Sequence, residues 1–138
     1  MKPVTILVIE DDKYDYESVF RKLNYFDSTG KIIHIDDGKE AVDYLFQTGP
    51  YANNSNLIKP DLILMDLGLP KITGLQILQI IKEKGTEEIK NIPVIIFSND
   101  EINPDNAKSF ELGAKGYINK PIQINQLKDL LIMLGLAN

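Results

Sequence analysis

The sequence predicts an α/β fold, a doubly wound three-layer sandwich in which a five-stranded parallel sheet carries five helices on its two faces. Three observations lead there. Short runs of Val, Ile and Leu alternate five times with segments whose apolar residues recur at helical spacing. The run Leu62 to Met65 is apolar throughout rather than at every second residue, as a strand buried on both faces is. Several of the runs end at a polar side chain (Glu10, Asp66, Ser98), at the carboxyl ends where open α/β sheets bind ligands. No repeat, low-complexity tract or linker separates the units, so one domain covers residues 1–138.

In order, Val4 to Ile9 is the first strand, a continuous β-branched and leucine run. Asp12 caps the next helix, whose apolar face is marked by Tyr16, Val19, Phe20 and Leu23. Lys31 to Ile35 is a second strand ending in Asp36-Asp37-Gly38, and Asp37 with Glu40 resembles a capping box before Ala41, Tyr44 and Leu45. Leu62 to Met65 is the central strand. It stops at Asp66, and the chain turns through Gly68 and Pro70 into a helix opening near Gly74, with Leu75, Ile77, Leu78 and Ile81 on one face. Pro93 to Phe97 is strand four. Asn103-Pro104 is a cap and first-turn proline for a helix that stops at Gly113. Gly116 to Ile118 is strand five, Lys120-Pro121 a break, and Ile124 to Leu134 the last amphipathic helix. Two stretches leave this rhythm. Thr48 to Lys59 is a long polar connection, open between a solvated insertion and a mobile functional loop. Lys84 to Asn91 is charged and reads as a solvated loop.

Composition excludes several classes. Without cysteine the chain has neither disulfides nor thiolate metal sites. Its N-terminus enters a strand with no signal peptide, and its apolar runs are far short of a membrane span. A net charge of −5 argues against broad contact with DNA, RNA or an anionic membrane. The expectation is a cytoplasmic globular protein.

The chemistry lies at strand ends. A sheet of order 2-1-3-4-5 sets strands one and three side by side at the switch point, so Glu10, Asp11 and Asp66 converge. Carboxylates that close raise one another's pKa unless a cation is present. A hard dication suits them, and Mg²⁺ (or Mn²⁺) fits few carboxylates, waters and a phosphate. Ser98 offers a hydroxyl and Lys120 a compact cation for an anionic ligand. Together these describe phosphoryl transfer to a carboxylate nucleophile, with Asp66 the central and exposed candidate. Other acids have plainer roles. Asp12, Asp36 and Asp37 read as helix caps rather than metal ligands, and His34, the only histidine, as a structural strand residue, which argues against an internal phosphorelay. Asn53-Asn54-Ser55 matches a glycosylation acceptor, a match without meaning where no signal peptide is expected.

Four stretches in order carry a family resemblance: Ile6-Leu-Val-Ile-Glu-Asp-Asp12, Asp66-Leu-Gly-Leu-Pro-Lys-Ile-Thr-Gly74, Pro93-Val-Ile-Ile-Phe-Ser98 and Gly113-Ala-Lys-Gly-Tyr-Ile-Asn-Lys-Pro121. Over its whole length the chain resembles the receiver domain of two-component response regulators, a flavodoxin-like fold. The resemblance implies that Asp66 accepts a phosphoryl group from a sensor histidine kinase. It implies that Glu10, Asp11, Asp66 and the Gly68 carbonyl hold Mg²⁺, and that Ser98 and Lys120 bind the phosphoryl oxygens. It also implies that Tyr117 rotates when Ser98 moves and that Lys120-Pro121 is cis. A half-buried strand aromatic is the plainer account of Tyr117. The insertion from Gly49 to Lys59, the stretch Asp37 to Leu45 and the lack of an output domain are similar to small stand-alone regulators of bacterial phytochromes, which implies a bacteriophytochrome kinase as partner. Three positions depart from the family pattern. Ser98 stands where Thr is commoner, Asn99 where a small residue is usual, and Gly68 where relatives carry a side chain.

Two other readings compete with a phosphoacceptor switch that is not an enzyme in the usual sense. A haloacid-dehalogenase-type phosphatase needs a second acid two residues after the nucleophile, and that position is Gly68. A degenerate receiver acting only as a binding module is disfavoured by the complete set of Glu10, Asp11, Asp66, Ser98 and Lys120. In the switch reading, Ile102, Phe110, Ile118 and Ile122 supply apolar contact for a partner, with a homodimer as one outcome.

Overall fold

The computed structural model describes residues 2–99 and 104–138, and for Pro104, Asp105 and Asn106 the backbone alone. Five strands, β1 (Val4–Ile9), β2 (Thr29–Ile35), β3 (Leu62–Met65), β4 (Val94–Ser98) and β5 (Gly116–Asn119), form one sheet of order β2-β1-β3-β4-β5, all neighbours parallel. The helices are α1 (Lys13–Leu23), α2 (Gly38–Phe46), α3 (Gly74–Lys84), α4 (Glu87–Lys90), α5 (Pro104–Glu111) and α6 (Ile124–Met133). The expected order and fold class are those found.

The unbroken apolar runs follow from the pleat, which sends alternate residues to opposite faces. Leu7, Ile9, Ile63, Met65 and Ile96 pack on one face with Leu45, Ile77 and Leu78 of α2 and α3. Ile6, Val8, Leu62, Leu64, Ile95 and Phe97 pack on the other with Val19 and Leu23 of α1 and Leu127 and Leu131 of α6. The inner strands β3 and β4 are therefore buried at every position, whereas the edge strand β2 carries exposed Gly30 and Lys31. Register then aligns the strand ends. Ile9 pairs with Met65 and Met65 with Ile96, so Glu10 and Asp66 leave the sheet at one level. Ser98 pairs with Asn119, which puts Lys120 one residue beyond.

Some expectations need correction. Lys84 to Asn91 is not loop throughout, because Thr86 accepts the Ile89 N–H and caps the single turn α4, a sixth helix. Phe20 is 43% exposed, so the buried stripe of α1 is Val19 and Leu23. Asp37 makes only half of a capping box, because it accepts the Glu40 N–H while the Glu40 carboxylate accepts the Tyr51 hydroxyl at 2.8 Å. Ile118 and Ile122 are buried in the α1/α6 core and present nothing to a partner, whereas Phe110 is exposed. Ile102 and the Asn103 cap lie outside the described residues.

The Thr48–Lys59 connection starts with a 3-10 turn at Gly49–Tyr51 and is tied down at both ends. Tyr51 packs edge-on against Tyr44, and the Tyr44 hydroxyl donates to the Ile58 carbonyl at 2.6 Å. Two glycines let the loop after Asp66 lie close to its neighbours. A Cβ on Gly74 would stand 2.7 Å from the Asp66 carbonyl oxygen, and one on Gly38 would overlap the Ile72 carbonyl.

Candidate functional site

Glu10 follows β1 directly and is fully buried. Its Oε2 accepts the backbone N–H groups of Asp11 at 3.0 Å and Asp12 at 3.4 Å, which bends the chain sharply out of the sheet. Asp12 then accepts the Asp15 N–H and starts α1, as expected of a cap. Asp66 follows β3 at the same level, and its Oδ1 accepts the Gly68 N–H at 3.1 Å, which fixes the turn. Glu10, Asp11 and Asp66 each bring a carboxylate oxygen within 4.8 Å of the others.

Lys120 closes the site from β5. Its Nζ donates to Glu10 Oε1 at 2.6 Å, Asp15 Oδ2 at 2.8 Å and Asp66 Oδ2 at 3.1 Å, and lies 5.2 Å from the centre of the Phe97 ring. The Lys120 side chain is only 7% exposed. Burial acts to lower its pKa, but the hydrogen bonds to Asp15 and Glu10 and the charge of Asp66 outweigh it and hold the ammonium protonated. Burial and then the nearby Asp66 push the Glu10 carboxyl up to about 8, against the pull of Lys120. A buried acid with that proton affinity, set among two further acids, marks a centre short of positive charge. An all-oxygen donor set of this kind fits a hard divalent cation.

Ser98 is buried at the end of β4. Tyr117 on β5 pairs with Ile96, two residues before Ser98, so Ser98 and Tyr117 share one face of the sheet at adjacent strands. Lys120-Pro121 is cis. His34 does structural duty, since its Nε2–H donates to the Glu10 carbonyl at 2.8 Å and Tyr16 stacks on its ring at 3.6 Å. Tyr16 thereby covers His34 while packing, half-buried, against the α1/α6 core.

Asp15 is the residue that sequence reasoning missed. Its only signal was position, in the first turn of a helix that starts from the carboxyl end of β1. The Thr73 capping box with Gln76, which sets the start of α3 behind Asp66, carried a readable S/T-x-x-Q signature and was passed over too.

The model for the response regulator receiver domain matches residues 6–132. The chain belongs to this family. Among receivers, it is 35% identical over 131 residues to response regulator Rcp1 of Synechocystis, with 95% of this chain and 84% of that protein covered. The solved Mn²⁺-bound form of Rcp1 superposes with a TM-score of 0.76 at 35% identity, covering 96% of this chain and 89% of Rcp1. The phosphorylated cyanobacterial phytochrome response regulator RcpA gives 35% identity and a TM-score of 0.76 over 97% of this chain and 91% of its own. The transcriptional regulatory protein CiaR of Streptococcus pneumoniae is 35% identical over 91% of this chain, and the chain spans 48% of CiaR. These receiver relatives place the chain in two-component signalling and support neither the phosphatase reading nor the binding-module reading. Among the described residues no helix is long and apolar enough to cross a membrane.

Proposed function

We propose that residues 1–138 form one receiver domain in which Asp66 accepts a phosphoryl group from the phosphohistidine of a sensor histidine kinase in the cytoplasm. The observation that carries this is the Lys120 ammonium on Asp66 Oδ2 at 3.1 Å, beside the convergent carboxylates of Glu10 and Asp11. An Asp66 oxygen forms the new bond to phosphorus as the phosphorus–nitrogen bond breaks, and the electron pair leaves with the imidazole. Lys120 meets the negative charge on the transferring oxygens, Ser98 donates a hydroxyl to one of them, and the Gly68 N–H keeps Asp66 turned toward the opening. Glu10, Asp11, Asp66 and the Gly68 carbonyl would hold Mg²⁺ or Mn²⁺, the latter supported by the similarity to Rcp1, which has a Mn²⁺-bound form. A bound dication would offset the repulsion between the carboxylates and the incoming phosphate.

The similarity to RcpA, a cyanobacterial phytochrome response regulator, supports a bacteriophytochrome-type kinase as partner, and the net charge of −5 supports a protein partner over DNA. Phosphorylation draws Ser98 toward the new oxygens and lets Tyr117 fill the space behind it. That remodels a face used by the kinase or by a second copy of the chain. Incubation with acetyl phosphate and Mg²⁺, followed by intact mass, should show one phosphoryl group that hydroxylamine removes. No uptake under these conditions refutes the acceptor reading.

A further inference from the structure

Lys120 has three N–H donors, and each faces a carboxylate: Glu10, Asp15 and Asp66. The three acceptors differ in what else they do. Glu10 and Asp66 belong to the group of acids that could hold a metal, and Asp66 is the proposed acceptor. Asp15 belongs to neither. It stands on the first turn of α1, outside the metal group, with its side chain 36% exposed. It is thus the one anchor of Lys120 that neither a dication nor a phosphoryl group takes over. Asp15 is the exposed half of this pair, and Lys120 keeps two further carboxylates without it, so the contact adds little to stability. What it does is direct a long, rotamer-rich side chain that must be aimed to act.

We propose that Asp15 is a positioning residue for phosphoryl transfer: it holds the Lys120 ammonium at the mouth of the site, aimed at Asp66, while the bonds to Glu10 and Asp66 are exchanged. The inference rests on the acceptor reading above. A second consequence concerns the metal. Lys120 and a dication compete for the oxygens of Glu10 and Asp66. With Asp15 neutral, Lys120 leans wholly on those two, and the site also loses one negative charge. Both changes weaken cation binding.

The test uses Asp15→Asn, which keeps the size and one acceptor oxygen, alone and combined with Lys120→Met. With Lys120 present, Asp15→Asn should slow hydroxylamine-labile uptake from acetyl phosphate at saturating Mg²⁺ by about tenfold. It should also raise the Mg²⁺ or Mn²⁺ concentration for half-saturation, measured without any phosphodonor. In the Lys120→Met background the same change should slow uptake no further, because its effect runs through the lysine. If Lys120→Met takes up no label, the metal titrations of the same four proteins complete the cycle, with the larger shift expected where Lys120 remains. The Asp15→Asn melting temperature should stay close to wild type. Unchanged uptake and unchanged metal affinity in Asp15→Asn overturn the proposal, as does an equal loss with and without Lys120. A wild type that takes up no phosphoryl group refutes the acceptor reading instead, and the metal titration still reads Asp15.

Discussion

Two triads of acids stand at the carboxyl ends of neighbouring strands, and each could hold a metal ion by proximity alone: Glu10, Asp11 and Asp66, and Asp36, Asp37 and Glu40. Their chemistry is different. In the second triad no acid is buried, and Asp37 and Glu40 are held by local partners. Asp37 Oδ1 accepts the Glu40 N–H at 2.7 Å and Oδ2 faces Lys71 at 3.4 Å, while Glu40 accepts the Tyr51 hydroxyl. The Glu40 N–H holds the Asp37 carboxyl below its usual value. In the first triad Glu10 is fully buried, its proton affinity is raised, and Lys120 bonds both Glu10 and Asp66. A carboxylate satisfied by a helix terminus is content as an anion, and one buried beside another acid is not. The same three-acid count thus yields a cap in one place and a reaction centre in the other.

The largest effect expected from that contrast is at Asp66. Asp66→Asn should abolish phosphoryl uptake, because an amide is not a nucleophile of this kind, while Asp37→Asn should leave uptake intact. Loss of uptake in both would erase the distinction.

Metal binding separates the triads next. Asp11→Ala should weaken Mg²⁺ or Mn²⁺ binding by about tenfold or more, read by calorimetric titration. Asp37→Ala should leave that affinity unchanged and cost about 1 kcal/mol of stability through the lost cap of α2.

The triads should also answer pH with opposite signs. A Glu10 carboxyl at about 8 in the fold against 4.5 as its ordinary value keeps its proton where the unfolded chain has released it. The unfolded state then binds fewer protons, so metal-free stability falls as pH rises from about 4.5 toward about 8. Asp37, lowered from 3.8, contributes stability above that value and loses it as pH falls through the folded pKa. In thermal melts, Glu10→Gln should flatten the alkaline limb and Asp37→Asn the acid limb. A Glu10→Gln profile that runs parallel to wild type from pH 5 to 8 would contradict the buried-acid account.

The smallest effect should come from Gly68. A Cβ there meets nothing nearer than Asp66 Oδ1 at 4.0 Å. Gly68→Ala should therefore melt within about 0.5 kcal/mol of wild type and keep its metal affinity, since the backbone is what Gly68 contributes.

What the sequence made legible follows the same division. Strands buried on both faces write themselves as continuous apolar runs, so β1, β3 and β4 and the polar residues that end them were readable, and the sheet order brought Glu10 and Asp66 together. Asp15 was not readable. Its role depends on Lys120, 105 residues away, and no local spacing encodes a pair that distant. α4 is one turn in a charged stretch, too short for helical periodicity to register. Ile118 and Ile122 looked available to a partner because they lie on or near the face of α5, β5 and α6 that the switch would remodel, but their side chains turn into the core beneath α6. Phe20 erred the other way, since the buried stripe of α1 is narrower than its apolar residues suggest.

The most direct test of the central claim is to locate the phosphoryl group. After reaction with acetyl phosphate and Mg²⁺, borohydride reduction converts an aspartyl phosphate to homoserine, and peptide mass spectrometry reads its position. The account predicts homoserine at residue 66 and unmodified aspartate at 11, 36 and 37. Homoserine at 36 or 37, or labelled protein with Asp66 unchanged, would contradict it.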